Sequence, residues 1–174
     1  MKLIPRGDVN DSGLKTRPET ADAEAEDAGA LRLEDFLPYR LSVLANTVSR
    51  GIARQYADRF GLSIPEWRVM AVLGRFAPLS AGEVCERTRM DKVRVSRAVA
   101  RLSDAGLIAR RADAADRRRG LLRLSPAGRA VHREIVPLAR AREAELLAAL
   151  DPQESAQLDA LVAKLQHRAD VLDE

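Results

Sequence analysis

Residues 80–125 read SAGEVCERTRMDKVRVSRAVARLSDAGLIARRADAADRRRGLLRLS, and local signals in a row organise the stretch. Ser80-Ala-Gly-Glu83 is a capping box: the serine oxygen and the glutamate carboxylate each satisfy an amide that a helix start leaves free. It opens a short helix to about Thr88. Asp91 caps a second helix that runs to Ala105 and is stopped by Gly106. Two helices joined by about three residues read as a helix-turn-helix. Leu107-Ile-Ala-Arg-Arg111 is then strand-like, Ala112 to Gly120 is a polar turn, and Leu121-Leu-Arg-Leu-Ser125 alternates enough for a return strand. A β-hairpin directly after a helix-turn-helix is a winged helix.

Outward from this centre the chain is helical. On the N-terminal side Leu37, Leu41, Leu44, Val48, Ile52, Tyr56 and Phe60 recur at spacings of three and four, the stripe of one long amphipathic helix. Gly61 ends it as a left-handed cap. Ser63-Ile-Pro-Glu66 is another capping box, opening a helix to about Phe76 with Trp67, Met70, Val72 and Leu73 mostly inward; Pro78 breaks the chain. On the C-terminal side Pro126 starts a helix carrying Val131, Ile135, Leu138, Leu146 and Leu150. Asp151-Pro-Gln-Glu154 caps the last, with Leu158, Leu161, Val162, Leu165 and Leu172. These terminal stripes look too extensive for so small a centre to cover. A dimer interface built from both termini explains them; an intrachain bundle is the alternative. The expected fold class is mainly α, a winged helix-turn-helix with a small β-hairpin wing and long dimerisation helices. The expected division is an acidic flexible tail 1–32, an N-terminal dimerisation helix 33–62, a DNA-binding domain 63–125 and C-terminal dimerisation helices 126–174.

The 174 residues are 46% hydrophobic but only 3% aromatic, enough for a sizeable core and more suited to helices than to sandwiches or barrels. The net charge of +3 hides an asymmetry: residues 1–35 carry −4, whereas residues 75–129 carry +8. A cationic middle flanked by near-neutral helical arms suggests a polyanion held at one face. No stretch approaches the roughly 20 apolar residues of a membrane helix, and residues 1–29 lack the apolar segment of a secretory signal, so a cytoplasmic protein with no membrane partner is expected. One cysteine excludes an internal disulfide, and two histidines leave little for a metal cage or a catalytic triad. No nucleophile–base pair or glycine-rich phosphate loop stands out, so no enzyme is expected.

The helix after Asp91 has two faces at 100° per residue. Val95, Ala98, Val99 and Leu102 form the core side. Val93, Arg94, Ser96, Arg97, Ala100 and Arg101 form the other, where small residues between arginines allow close approach to a groove floor. Arginine can give two hydrogen bonds to guanine, and a valine methyl can pack on that of thymine. An ordinary solvated arginine face is the alternative. Arg87 and Arg89 in the preceding turn and the basic hairpin tip weigh against it. Lys92, Val93, Arg94, Ser96, Arg97 and Arg101 are the candidate DNA contacts on this helix. In the tip Arg117, Arg118 and Arg119 are adjacent on a projecting loop, suited to a narrow minor groove. Asp116 is expected to pair with Arg118 and fix the loop.

The element order, with Val95-Ser-Arg-Ala-Val-Ala-Arg-Leu102, Gly106-Leu-Ile and the wing from Asp116 to Gly128, resembles the MarR family of bacterial transcription regulators. The resemblance spans roughly residues 33–172. It implies a homodimer on a pseudo-palindromic operator, one recognition helix in each of two major grooves about one turn apart. Arg118 matches the family's minor-groove wing arginine and Asp116 its partner. Most such proteins repress, and a small effector respaces the two recognition helices.

Phe36-Leu-Pro-Tyr-Arg-Leu-Ser-Val-Leu-Ala-Asn46 with Ile64-Pro-Glu-Trp-Arg68 resembles members that control aromatic-acid degradation, some of which respond to hydroxycinnamoyl-CoA thioesters. On that resemblance Tyr39, Leu44, Val48 and Trp67 wall an aryl site, and Arg40, Arg50 or Arg54 meets a carboxylate or CoA phosphates. The alternative is that the apolar residues are core and the arginines cover the dimer surface. Cys85, inside the first helix of the helix-turn-helix, is expected to be a small buried residue rather than a redox sensor. No cofactor is expected beyond a small effector such as an aromatic acid or a hydroxycinnamoyl-CoA; the expected partners are double-stranded operator DNA, a second copy and that effector. The rival class is a winged-helix module whose arms bind a protein, without a DNA role.

Overall fold

The computed structural model describes residues 31–112 and 120–173. The described residues fall into two units, one up to Val43 and one from Leu44 onward. In the first, a turn at 33–35 leads into helix α1 (Leu37–Phe60), which continues into the second unit. Gly61, at φ +64°, closes that helix as expected, its N–H donating to the Ala57 carbonyl at 2.8 Å.

The second unit continues with α2 (Ile64–Phe76), β1 (Leu79–Ser80), α3 (Ala81–Thr88), α4 (Lys92–Asp104), β2 (Ile108–Ala112), β3 (Gly120–Leu124), α5 (Pro126–Leu147) and α6 (Pro152–Leu172). Helix starts follow the predicted caps. The Ser63 N–H donates to Glu66 at 2.7 Å, the Ser80 N–H to Glu83 at 2.7 Å, and the Arg94 N–H to Asp91 at 2.8 Å. Asp151 and Glu154 cap each other reciprocally. Gly106, at φ +68°, takes the left-handed turn that ends α4.

The sheet holds one strand more than the hairpin. β1 pairs antiparallel with β3, opposing Leu79 to Leu122, so the order is β1-β3-β2. Two residues after a proline carry too little alternation to read as a strand; the pairing is made by Leu79, which is buried. Below the sheet, Val69, Met70, Leu73, Val84, Val95, Leu102, Leu122 and Ile135 form one core with Tyr56. Ser125 ties the wing to α5: its hydroxyl donates to the Gly106 carbonyl at 2.6 Å and accepts from the Gly128 N–H at 3.0 Å, capping that helix. Among the described residues no helix is long and apolar enough to cross a membrane.

Candidate nucleic-acid interface and effector cavity

Helix α4 divides as its periodicity requires. Val95, Ala98 and Leu102 are buried and Val99 packs against the core; Lys92, Val93, Arg94, Ser96, Arg97, Ala100 and Arg101 are exposed. Val93 is a 58% exposed β-branched residue in the first turn of a helix, where folding alone gives it no reason to be. The arginines of this face are not equivalent. Arg94 sits 3.2 Å from the Asp91 carboxylate that caps the helix. Arg101 reaches Glu66 at the start of α2, at 3.6 Å. Arg97 has no carboxylate partner among the described residues. Ser63, Pro65, Glu66, Arg94, Arg97, Ala98 and Arg101 enclose a cleft of about 250 Å³. Glu66 was legible as a cap; its arginine partner lies 35 positions on and left no local signal.

The two arginines of the preceding turn are engaged elsewhere. Arg87 lies over the Phe76 ring at 4.1 Å, and Arg89, in a left-handed conformation at φ 51°, meets Asp170 of α6 at 2.5 Å. On the wing strands Arg110, Arg111 and Arg123 are exposed. Gly120 makes room for Arg110, since a Cβ there would come within 2.1 Å of its Nε. Asp116, Arg117, Arg118 and Arg119 lie outside the described residues. Cys85, expected to be buried, is half-buried: it packs against the core on one side and lines a cavity of about 390 Å³ with Ser96, Val99 and Arg110 on the other.

Of the predicted effector residues, Val48 and Trp67 come together on one cavity of about 430 Å³, with Ile52, Val136, Ala139, Leu146, Leu147, Leu158 and Val162. Its cation is Arg140, flanked by Glu143 and Asp159. Arg50, exposed, donates to Thr47, and Leu44 and Arg54 are exposed outside this lining. Tyr39 and Arg40 belong to the first unit and are exposed there. Sequence reasoning missed Arg140 because a single arginine on a helix rich in charge carries no distinguishing pattern.

Trp67 is also the middle of a ring stack. Tyr56 lies 5.8 Å and His132 5.6 Å from it, centroid to centroid. The Tyr56 hydroxyl is buried without a hydrogen-bond partner, and burial pushes its pKa up to about 12, Arg68 pulling it down and Glu66 adding to the rise. Burial also holds the His132 imidazole below the ordinary histidine range. His132 lies against Gly74, whose hydrogen leaves the space a Cβ would take 2.3 Å from Nε2.

A helix-turn-helix with a three-stranded wing, a solvent-facing second helix of arginines and small residues, and long flanking helices defines a winged-helix DNA-binding regulator. Residues 60–119 match the model of the MarR family. A probable transcriptional regulator from Pseudomonas aeruginosa is 34% identical over 77% of this chain and 99% of its own, with a TM-score of 0.64. The chain belongs to the MarR family of transcriptional regulators, which are not enzymes. A MarR/EmrR family regulator from Acinetobacter sp. ADP1 superposes with a TM-score of 0.73, at 26% identity over 80% of this chain and 99% of its own. A Bordetella bronchiseptica protein whose DNA binding is regulated by 6-hydroxynicotinic acid gives 0.70, at 25% identity over 79% and 98%. No curated protein sequence matches the chain.

Proposed function

We propose that this regulator is a cytoplasmic homodimeric repressor of a pseudo-palindromic operator, released by a small aromatic acid or an aryl-CoA thioester. The observation that carries the DNA contact is the outer face of α4, exposed throughout while the opposite face is core. In this reading Lys92, Val93, Arg94, Ser96, Arg97 and Arg101 enter the major groove and Arg117, Arg118 and Arg119 follow the minor groove, with Asp116 holding Arg118. The effector class is supported by the cavity beside Trp67: its volume lies in the range of small-molecule sites, its walls are apolar, and Arg140 offers one charge to a carboxylate. The Bordetella relative's response to an aromatic acid supports the same class. Of the predicted effector residues, Val48 and Trp67 stand on that lining; Tyr39, Arg40, Leu44, Arg50 and Arg54 do not.

The test is a titration of the protein against labelled DNA from upstream of its own gene, with a scrambled duplex alongside. Hydroxycinnamoyl-CoA and 6-hydroxynicotinic acid are the added ligands. Specific binding released by either, with a change in the fluorescence of Trp67, the only tryptophan, is the expected result. Specific binding unmoved by both removes the effector class. Equal binding to both duplexes at this promoter and every other operator tried removes the repressor. Arg97→Ala is expected to lower discrimination at one base position by roughly 1–3 kcal/mol.

A further inference from the structure

We propose that Glu66 is a specificity-setting residue of the DNA interface, holding the Arg101 guanidinium so that this cation does not engage arbitrary backbone phosphates. The inference rests on the reading that the outer face of α4 meets DNA. Glu66 is only 4% exposed, yet it stands on a cleft lined by three arginines, Arg94, Arg97 and Arg101. A fixed negative charge there opposes the approach of a polyanion, so its presence needs a reason.

Capping does not supply one. Its Oε2 accepts from the Ser63 N–H at 2.7 Å, but glutamine fills that place in a capping box as well as glutamate. The charge is accounted for by the other oxygen, Oε1, 3.6 Å from Nη1 of Arg101. Asp91 stands to Arg94 in the same way at 3.2 Å, but as an exposed group whose field salt screens. Glu66 is nearly buried and held by its own cap, so its charge is fixed in place beside the exposed Arg101 side chain. Of the three arginines in the cleft, Arg97 alone is then without a carboxylate among the described residues and most available to any DNA.

The experiment measures the salt dependence of binding to a short random-sequence duplex by fluorescence anisotropy. It uses the full chain, Glu66→Gln, Arg101→Gln and the double variant. Glu66→Gln keeps the acceptor for Ser63 and removes only the charge. It is expected to bind the random duplex about threefold to tenfold more tightly near physiological salt, its log–log slope steeper by roughly one as Arg101 neutralises a further phosphate. Arg101→Gln alone leaves the random-duplex slope as it is in the parent, and the double variant matches Arg101→Gln. An unchanged slope in Glu66→Gln overturns the proposal whatever its thermal stability, and so does tightening that survives the loss of Arg101. A parent protein without salt-dependent DNA binding overturns the interface reading itself, and is distinguished because it appears before any substitution.

Discussion

Helices α4 and α6 are both amphipathic by spacing, yet one spends its apolar side inside its own lobe and the other does not. Of the 13 residues of α4, Val95, Ala98 and Leu102 are buried. In the 21 residues of α6 no residue is buried, and Leu161, Val162 and Leu165 remain about half exposed. The lobe closes its core with its own sheet and helices. The last helix carries the same apolar spacing, lines the cavity beside Trp67 with Leu158 and Val162, and buries none of its residues among those described; a stripe so exposed is what a second copy would be expected to cover. Family regulators bind DNA as dimers, so stability in the lobe should be a property of one chain and stability in α6 a property of concentration.

The largest expected effect separates the two. Leu161→Glu with Leu165→Glu puts charge on this exposed stripe and removes about 1 kcal/mol of burial for each half-exposed leucine, to which the cost of burying carboxylates adds. The dimer should weaken by roughly 100-fold or more, read by sedimentation across a concentration series, while the circular dichroism of the monomer stays helical. A variant that remains dimeric in the same range would break the comparison.

Gly128 is the converse case. A Cβ there would lie 1.9 Å from the carbonyl oxygen of Leu107, a backbone atom that cannot swing aside. Gly128→Ala should therefore force α5 away from the end of α4 and cost about 2–3 kcal/mol in urea unfolding, equally at low and high protein concentration. A loss that vanishes at high concentration would place this defect in the assembly rather than the lobe.

Legibility in the sequence depends on which interactions are local. Capping boxes at Ser63, Ser80 and Asp151 act within three residues, so the helix starts are legible to the residue, and the stripe of α4 sorts Val95, Ala98 and Leu102 from Arg94, Arg97 and Arg101 correctly. Strand β1 escapes because two residues have no period; Leu79 joins the sheet only through Leu122, 43 positions away. The candidate sites are legible in the same measure. The exposed arginine face belongs to one helix, so its exposure follows from the period of that helix alone. The cavity beside Trp67 is assembled from α1, α2, α5 and α6, and of its lining the sequence points only to Val48 and Trp67.

A smaller effect tests the lobe's own interior. The Tyr56 hydroxyl is buried among core residues with no partner, so Tyr56→Phe should leave stability unchanged or raise it by about 1 kcal/mol at neutral pH. The gain should widen in alkali. Because the folded pKa is raised to about 12, the folded state keeps a proton that the unfolded chain releases from about pH 10, and stability contributed by the neutral phenol is lost as pH rises through that window. The parent should lose stability faster than Tyr56→Phe between those values in chemical unfolding; parallel curves would show that the ring is hydrated in solution.

The smallest effect is spectroscopic and bears on whether the ring stack belongs to the lobe or to the ligand cavity. His132 packs on Trp67, and burial lowers its pKa from 6.5, so the imidazole stays neutral until the pH falls below the ordinary histidine range. The direction comes from linkage: the unfolded chain takes up the proton first, so stability is full above pH 6.5 and declines as acid is added. Protonation places a cation against the indole, and Trp67 fluorescence should report it with a midpoint below 6.5. His132→Gln removes the transition and leaves the folded emission at neutral pH. A titration that persists in His132→Gln would show that His132 is not its source and would break the assignment of the response to the ring stack.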